Sequence, residues 1–187
     1  MPQRACLAIA GCWGWIGAPL LPSLAVATDP SPDLLLAPLG AEARPLEEWL
    51  TTFHLAIVAL DPYTNESSWI LPTATRILEG LRGSDARVCF LVTADERDAR
   101  SFLGPLSESF LVFLDPERLV VKAMGLEQLP AFVFIRVDGT VQASAEGWSA
   151  SSWRAVAESI TTATAWRVPD IPLVGDPGPF RGSPSLG

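Results

Sequence analysis

Uninterrupted apolar runs alternate along the chain with apolar residues spaced for a helix. Two runs, HLAIVAL at 54–60 and RVCFLVT at 87–93, predict strands buried on both faces, and 110–114 predicts a third extended segment. Between the first two runs, five apolar residues recur at helical spacing: Ile70, Ala74, Ile77, Leu78 and Leu81. A second helix is predicted over 95–103, where acidic residues begin the segment. The order strand, helix, strand, helix, strand is typical of a parallel sheet with right-handed crossovers.

The segments on either side of this unit are shorter. Upstream, 33–50 contains an apolar strand, a turn at Gly40 and a short helix whose first turn contains Pro45. Downstream, 116–124 predicts a short helix followed by a glycine. These pieces extend the unit at both ends without adding a second core.

A hairpin and a helix complete the folded region. The strands predicted over 131–137 and 140–145 meet across Asp138-Gly139, which favours a two-residue type I′ turn. Ser149 leads into a last amphipathic helix, and we expect its buried face to carry Trp153, Val156, Ile160 and Thr164. An antiparallel hairpin therefore follows a parallel unit.

Proline and glycine mark the end of the folded region. The last 21 residues are too rich in both for a helix or a central strand, so 167–187 is predicted to be an extended tail. Its apolar residues are expected to pin it to the domain or to a partner: Ile171, Leu173, Val174 and Phe180. The chain divides into a leader at 1–28, one domain at 29–166 and this tail.

Charge and cysteine content narrow the class of partner. The 187 residues include 13 basic and 21 acidic side chains, a net charge of −8, and the arginines are interspersed with acids. This pattern argues against a nucleic acid or an anionic lipid as the partner. Cys6 and Cys12 lie in the leader, so the domain has Cys89 alone and forms no internal disulfide.

The leader has features of an export signal. Arg4 precedes an uncharged apolar stretch that ends in Ala25-Val26-Ala27, the spacing of a secretory cleavage site. Glycines and prolines interrupt the stretch, so an uncleaved anchor and a wrongly assigned start remain alternatives. Export or membrane association is favoured over the cytoplasm, and the membrane is a partner only if the leader is an anchor.

The layout resembles the thioredoxin fold at three separated places. Pro72 matches the proline that kinks the active-site helix of thioredoxins, LPAF at 129–132 looks like their cis-proline segment, and Asp138-Gly139 followed by 146–148 matches the run into the final helix. The resemblance covers about 33–164 and implies an α/β thioredoxin-like fold, a central mixed sheet of parallel strands plus an antiparallel hairpin, flanked by helices. The corner DPYTNESSW at 61–69 also resembles that of bacterial thioredoxin-domain proteins of unassigned role.

This resemblance places the family's two reactive cysteines at Thr64 and Ser67, which are hydroxyls here. A helix amino terminus stabilises an anion by about 0.3–1 kcal/mol. The pKa of a hydroxyl lies several units above that of a thiol, and each unit corresponds to about 1.4 kcal/mol. The helix terminus therefore cannot make a hydroxyl as acidic as a thiol. Dithiol exchange is therefore excluded at this corner, and we predict no catalytic residue, cofactor or metal.

We predict a binding role for the corner instead. Thr64, Asn65 and Ser67 are expected to cap the helix, and Glu66 complements its dipole. The rings of Tyr63 and Trp69 remain unexplained by capping. With Leu129, Pro130 and Trp148 they predict an apolar patch for an unidentified protein or peptide.

Two alternatives use other residues. In one alternative, the protein is a thiol-dependent oxidoreductase or antioxidant that uses Cys89. The position of Cys89 in the middle of a strand predicts instead that it is a buried, apolar residue. The chain is an accessory subunit of a larger assembly in another, with the tail as its contact strand. A serine nucleophile is ruled out, because its base would be His54, the chain's one histidine, which we expect at the far end of its strand, roughly 20 Å from the corner.

Overall fold

The computed structural model describes residues 27–186. The predictions that fall on residues 1–26 of the leader, including its two cysteines, lie outside these residues; of the Ala25-Val26-Ala27 cleavage pattern, only Ala27 is described. No helix in the described part of the chain is long and apolar enough to span a bilayer.

A seven-stranded mixed sheet is the centre of the molecule. Its strands are β1 (Leu35–Pro38), β2 (Arg44–Pro45), β3 (His54–Leu60), β4 (Ala86–Val92), β5 (Leu111–Leu114), β7 (Ala131–Ile135) and β8 (Val141–Glu146), in the spatial order β2-β1-β5-β4-β3-β7-β8. Strand β3 pairs in parallel with β4, which pairs in parallel with β5, and β7 and β8 are antiparallel to their neighbours. Two further strands, β6 (Gln128–Leu129) and β9 (Ser183–Pro184), form a separate antiparallel pair.

Within residues 27–186, six helices flank the sheet. They are α1 (Leu46–Trp49), α2 (Asn65–Leu81), α3 (Glu96–Leu103), α4 (Leu106–Ser109), α5 (Leu119–Ala123) and α6 (Ala150–Thr164). Alternate residues of β3 enter different layers, because successive strand side chains point to opposite faces. Ala56, Val58 and Leu60 pack with α2 and α6, while Leu55, Ile57 and Ala59 pack with α1 and α5.

The predicted core faces are confirmed. All five apolar residues of the α2 stripe are fully buried, and the predicted residues of α6 are buried as well. The helix extends five residues upstream of Ile70, since it begins at Asn65, and Pro72 lies inside it.

The hairpin turn differs from its prediction. Strand β7 ends at Ile135 and β8 begins at Val141, so the loop between them has five residues, 136–140, where two were expected. A type I′ turn requires positive φ at both central residues, but only Gly139, with φ +84, has it and Asp138 does not. Instead, the Gly139 N–H donates to the Arg136 carbonyl, and the Asp138 carboxylate accepts from the Thr140 N–H and hydroxyl.

The tail folds back onto the domain. Ile171 is buried in the same core layer as α2, and Asp176 forms an ion pair with Arg76 of that helix at 2.8 Å. The backbone of Phe180 forms an antiparallel bridge with that of Trp148, and strand β9 pairs with β6. Leu173 and Val174 remain exposed, so only part of the predicted apolar set pins the tail to the domain.

Candidate functional site at the amino end of helix α2

Asp61 organises the loop that joins β3 to α2. The residue is buried, and one of its carboxylate oxygens accepts the Tyr63 N–H at 3.0 Å. Its main-chain carbonyl accepts both the N–H and the hydroxyl of Thr64, at 3.1 and 2.9 Å. These bonds fix the path of the chain between the last residue of the strand and the first turn of the helix.

Thr64 and Ser67 lie side by side, as their alignment with a family pair implies. Their hydroxyl oxygens are 3.1 Å apart, and Ser67 is fully buried. The capping prediction is wrong: Thr64 occupies the cap position but accepts no helix N–H, and the Ser67 hydroxyl accepts the Asp61 N–H at 2.9 Å. The hydroxyls are used inside the loop, because the buried backbone of Asp61 needs partners there.

The Pro130 segment lies at the same end of the sheet. Ala131 pairs with Ala59 of β3, and continuing that register sets Pro130 beside Leu60, at the start of the corner. The Leu129–Pro130 peptide bond is cis. The Pro130 carbonyl accepts the Gly147 N–H at 2.7 Å, which joins the segment to the residues that follow β8.

The predicted apolar patch is divided between buried and exposed rings. Tyr63 and Trp69 are 66% and 56% exposed, as expected of a contact surface. Leu129, Pro130 and Trp148 are buried. The prediction of Trp148 as an exposed member of the patch is therefore wrong, because the tail covers it: its indole N–H donates to the Pro177 carbonyl at 2.8 Å.

The exposed rings have specific neighbours. The Tyr63 hydroxyl donates to the Asp98 carboxylate at 2.5 Å, and this hydrogen bond raises the pKa of Tyr63. Trp69 packs edge-on against Phe180 of the tail, with ring centroids 5.9 Å apart. Asn65 is exposed in the first turn of α2, where Glu66 also lies.

Arg118 connects the corner to the tail, a link the sequence did not reveal. Its guanidinium donates to the Asp61 carboxylate at 2.7 Å and also to the Ser185 carbonyl. A lone arginine in an irregular segment carries no periodic signal. The nearest sequence cue was the buried acid that ends a strand, since a buried carboxylate needs a partner.

The Glu146 side chain binds the backbone at the start of β6. One carboxylate oxygen accepts the N–H groups of Glu127 and Gln128, at 3.1 and 2.7 Å. The other oxygen is buried and has no partner among residues 27–186. Burial raises the pKa of Glu146, although the two N–H donors oppose this shift.

Cys89 and His54 lie away from the corner. Cys89 is fully buried, as predicted, with its sulfur 3.6 Å from the Ala56 carbonyl, and burial strongly raises the pKa of its thiol. His54 is the first residue of β3, at the end opposite the corner, where its Nδ1 accepts the Val137 N–H at 3.1 Å. Burial lowers the pKa of this imidazole. Among the described residues, no three His, Cys, Asp or Glu side chains converge to hold a metal ion.

Known proteins share the fold at low sequence identity. No protein-family model and no curated protein sequence matches the chain. A Chlorobium tepidum protein assigned as thiol:disulfide interchange protein DsbE is 19% identical with a TM-score of 0.61, over 74% of this chain and 97% of its own. A secreted Mycobacterium tuberculosis disulfide oxidoreductase homologous to E. coli DsbE is 16% identical with a TM-score of 0.51, over 63% and 85%.

A peroxiredoxin is also similar in structure. A variant of peroxiredoxin Q from Xanthomonas campestris is 13% identical with a TM-score of 0.57, over 74% of this chain and 98% of its own. The chain has a thioredoxin-like fold, which confirms the predicted fold class. At these identities the likeness establishes architecture, and the chemistry has to be argued from the corner itself.

Proposed function

We propose that this protein is a redox-inactive binding module that holds an extended segment of a partner protein at the corner 61–69 and the Leu129–Pro130 segment. One observation carries the proposal: the backbone of Gln128 and Leu129 already pairs with an extended strand, Ser183–Pro184. An edge that accepts one strand by main-chain hydrogen bonds is suited to accept another of similar shape.

The absence of dithiol exchange is supported by the same geometry. The two positions that would hold sulfur carry hydroxyls that are bonded to the loop and to each other. Cys89 is fully buried with a raised thiol pKa, so it presents no thiolate for attack on a disulfide. These two facts disfavour the alternative in which Cys89 performs thiol chemistry.

The exposed rings supply the lateral contact of the proposed site. Tyr63 and Trp69 flank the corner, and large aromatic rings with few mobile bonds are common anchors of protein interfaces. A pull-down from cell extract with the full chain tests this role. Replacing both rings by alanine is expected to reduce recovery of the bound partner about tenfold or more.

Leu35 provides the matched control for the pull-down. It is 60% exposed, similar to the two rings, but lies on β1, which is separated from β3 by two strands. Leu35→Ala is expected to leave recovery unchanged. Equal recovery by the wild type and the Tyr63→Ala/Trp69→Ala variant would overturn the proposed site.

Export is part of the proposal. It is supported by the Ala25-Val26-Ala27 pattern of the leader and by the fold shared with a protein that is itself secreted. Mass spectrometry of the mature protein should find a chain that begins at Thr28. An intact leader that starts at Met1 would contradict cleavage.

A further inference from the structure

The tail lies in a groove beside Pro130, between the backbone of 128–129 on one side and that of Trp148 on the other. On one side, Ser183 and Pro184 pair with Leu129 and Gln128. On the other, the N–H and carbonyl of Phe180 exchange hydrogen bonds with Trp148, at 2.9 and 2.8 Å. A single extended segment, 180–185, therefore lies against both sides of the groove.

Glycines allow this close approach. A Cβ on Gly147 would lie 2.3 Å from the Arg181 carbonyl oxygen, and one on Gly182 would lie 2.7 Å from that of Leu129. Both distances are shorter than a van der Waals contact, and both residues have positive φ. The groove thus admits a segment only if it carries glycine at the position of Gly182.

The end of the segment is bound through its main chain. The Ser185 N–H donates to the Glu127 carbonyl at 2.9 Å, and its hydroxyl donates to the Leu126 carbonyl. Its own carbonyl accepts from Arg118, the residue that also binds Asp61 of the corner. The groove therefore recognises an extended backbone with a small polar residue at position 185.

The rest of the tail is anchored independently. Asp176 accepts from Thr73 and Arg76 of α2, and Ile171 is buried in the core. Between these anchors and the groove, Gly178 is exposed, and a Cβ added there would meet no atom within 4 Å. If segment 180–185 left the groove while the upstream anchors stayed in place, Gly178 would be its hinge.

We propose that segment 180–185 is a displaceable internal ligand, and that the partner segment replacing it shares its pattern of an aromatic residue, glycine two positions later and then Ser-Pro-Ser or similarly small residues. This inference rests on the proposed function, because it needs a groove that accepts extended peptide. Competition by the tail weakens binding of the partner in proportion to the fraction of chains whose groove is open. The tail thereby sets both the sequence preference and the affinity of the site.

A fluorescent synthetic peptide with the sequence of residues 179–187 is the probe, and its anisotropy is measured with three full-length proteins: the wild type, Gly182→Ala and Gly175→Ala. Gly175 is the matched control, since it also has positive φ, +103, but a Cβ there meets no atom within 4 Å. The backbone strain of alanine is thus present in both variants. Only Gly182→Ala adds the collision with Leu129 that displaces the tail.

The Gly182→Ala protein is expected to bind the peptide at least about tenfold more tightly than the wild type and Gly175→Ala, since its groove is vacated. A peptide with alanine in place of its own glycine should not bind. Equal binding of the peptide by all three proteins would show that the tail does not compete for the groove. That result would contradict the inference but not the proposed function. Absence of binding by all three would overturn the inference, and the pull-down with the ring variants would then decide the proposed function separately.

Hydrogen exchange of the wild-type chain keeps the test decisive if Gly182→Ala fails to fold. The Phe180 and Ser185 amides are expected to exchange at least about tenfold faster than those of β7, because the segment opens without global unfolding. Exchange of these amides only at the rate of β7 would contradict a displaceable segment.

Discussion

At the scale of single residues, two hydroxyl oxygens occupy positions that suit a disulfide. Thr64 and Ser67 contact each other at 3.1 Å, and both bond to Asp61, so the loop is closed by hydrogen bonds. Oxygen at these positions stabilises the corner but cannot accept or release electrons at physiological potentials. On the proposed function, the pair keeps the shape of the corner and takes no part in dithiol exchange.

Thr64→Cys combined with Ser67→Cys is expected to form a disulfide under mild oxidant, because i and i+3 at a helix start suit its Cα separation. Peptide mapping by mass spectrometry would locate the bond. Thr64→Cys with Ser68→Cys is the control, since Ser68 is exposed and the next residue along the helix. A pair at 64 and 67 that stays reduced, or a control that oxidises equally well, would contradict the alignment of the corner.

Glu146 gives the stability a dependence on pH. Because burial raises its folded-state pKa, its favourable contribution is present below the unfolded pKa of about 4.3 and is lost as pH rises through the folded pKa. Glu146→Gln is expected to match the wild type in acid and to exceed its free energy of unfolding at neutral pH. Urea unfolding across this range measures the difference.

The surface change Glu79→Gln is the control for that series, because Glu79 is exposed on α2. It should follow the wild type at every pH. If Glu146→Gln were less stable than the wild type at neutral pH, the charged carboxylate would be a net stabiliser of β6 and our interpretation would be wrong.

At the scale of elements, the tail and α2 are joined by a polar clamp. Burial of Asp176 opposes its ionisation, but hydrogen bonds from the Leu173 N–H, Arg76 and Thr73 outweigh burial, so its pKa is lowered. A carboxyl with a lowered folded-state pKa stabilises the fold above its unfolded pKa of about 3.9 and loses this effect as pH falls through the folded pKa. The tail should therefore loosen in acid.

Asp176→Asn is expected to lower the free energy of unfolding by about 1–3 kcal/mol at pH 7, the usual cost of losing hydrogen bonds to a charged group. The difference from the wild type should shrink below about pH 4. Asp170→Asn is the control, since Arg76 contacts Asp170 through its main-chain carbonyl, which the substitution keeps. Equal effects of the two substitutions would argue against the clamp.

The parallel unit was predictable because its signals are periodic. The apolar runs predicted that β3 and β4 are buried strands, and the helical spacing predicted which face of α2 is buried. The structure shows both. The turn at 136–140 was not predictable from Asp138-Gly139, because Asp138 bonds to Thr140 and the loop takes three more residues. A turn dipeptide indicates that the chain reverses, but it does not fix the length of the loop.

At the scale of the whole molecule, the position of the candidate site was predictable, and its coverage by the tail was not. The corner and Pro130 meet because β3 and β7 are adjacent and antiparallel, an arrangement that the resemblance to the thioredoxin fold implies. The sequence predicted that apolar residues pin the tail, but the pairing of 180–185 beside Pro130 was missed, because it depends mainly on main-chain groups and on the lack of a side chain at Gly147 and Gly182. Such contacts leave little trace in a hydrophobic pattern.

Insulin reduction in the presence of dithiothreitol tests the central claim most directly. Neither the wild type nor Gly182→Ala should accelerate the reaction above buffer, because the hydroxyl pair cannot exchange disulfides whether the groove is covered or open. Activity in Gly182→Ala alone would indicate a working redox site hidden by the tail. A wild-type rate clearly above buffer that disappears in Cys89→Ala would contradict the account and assign the chemistry to the buried thiol.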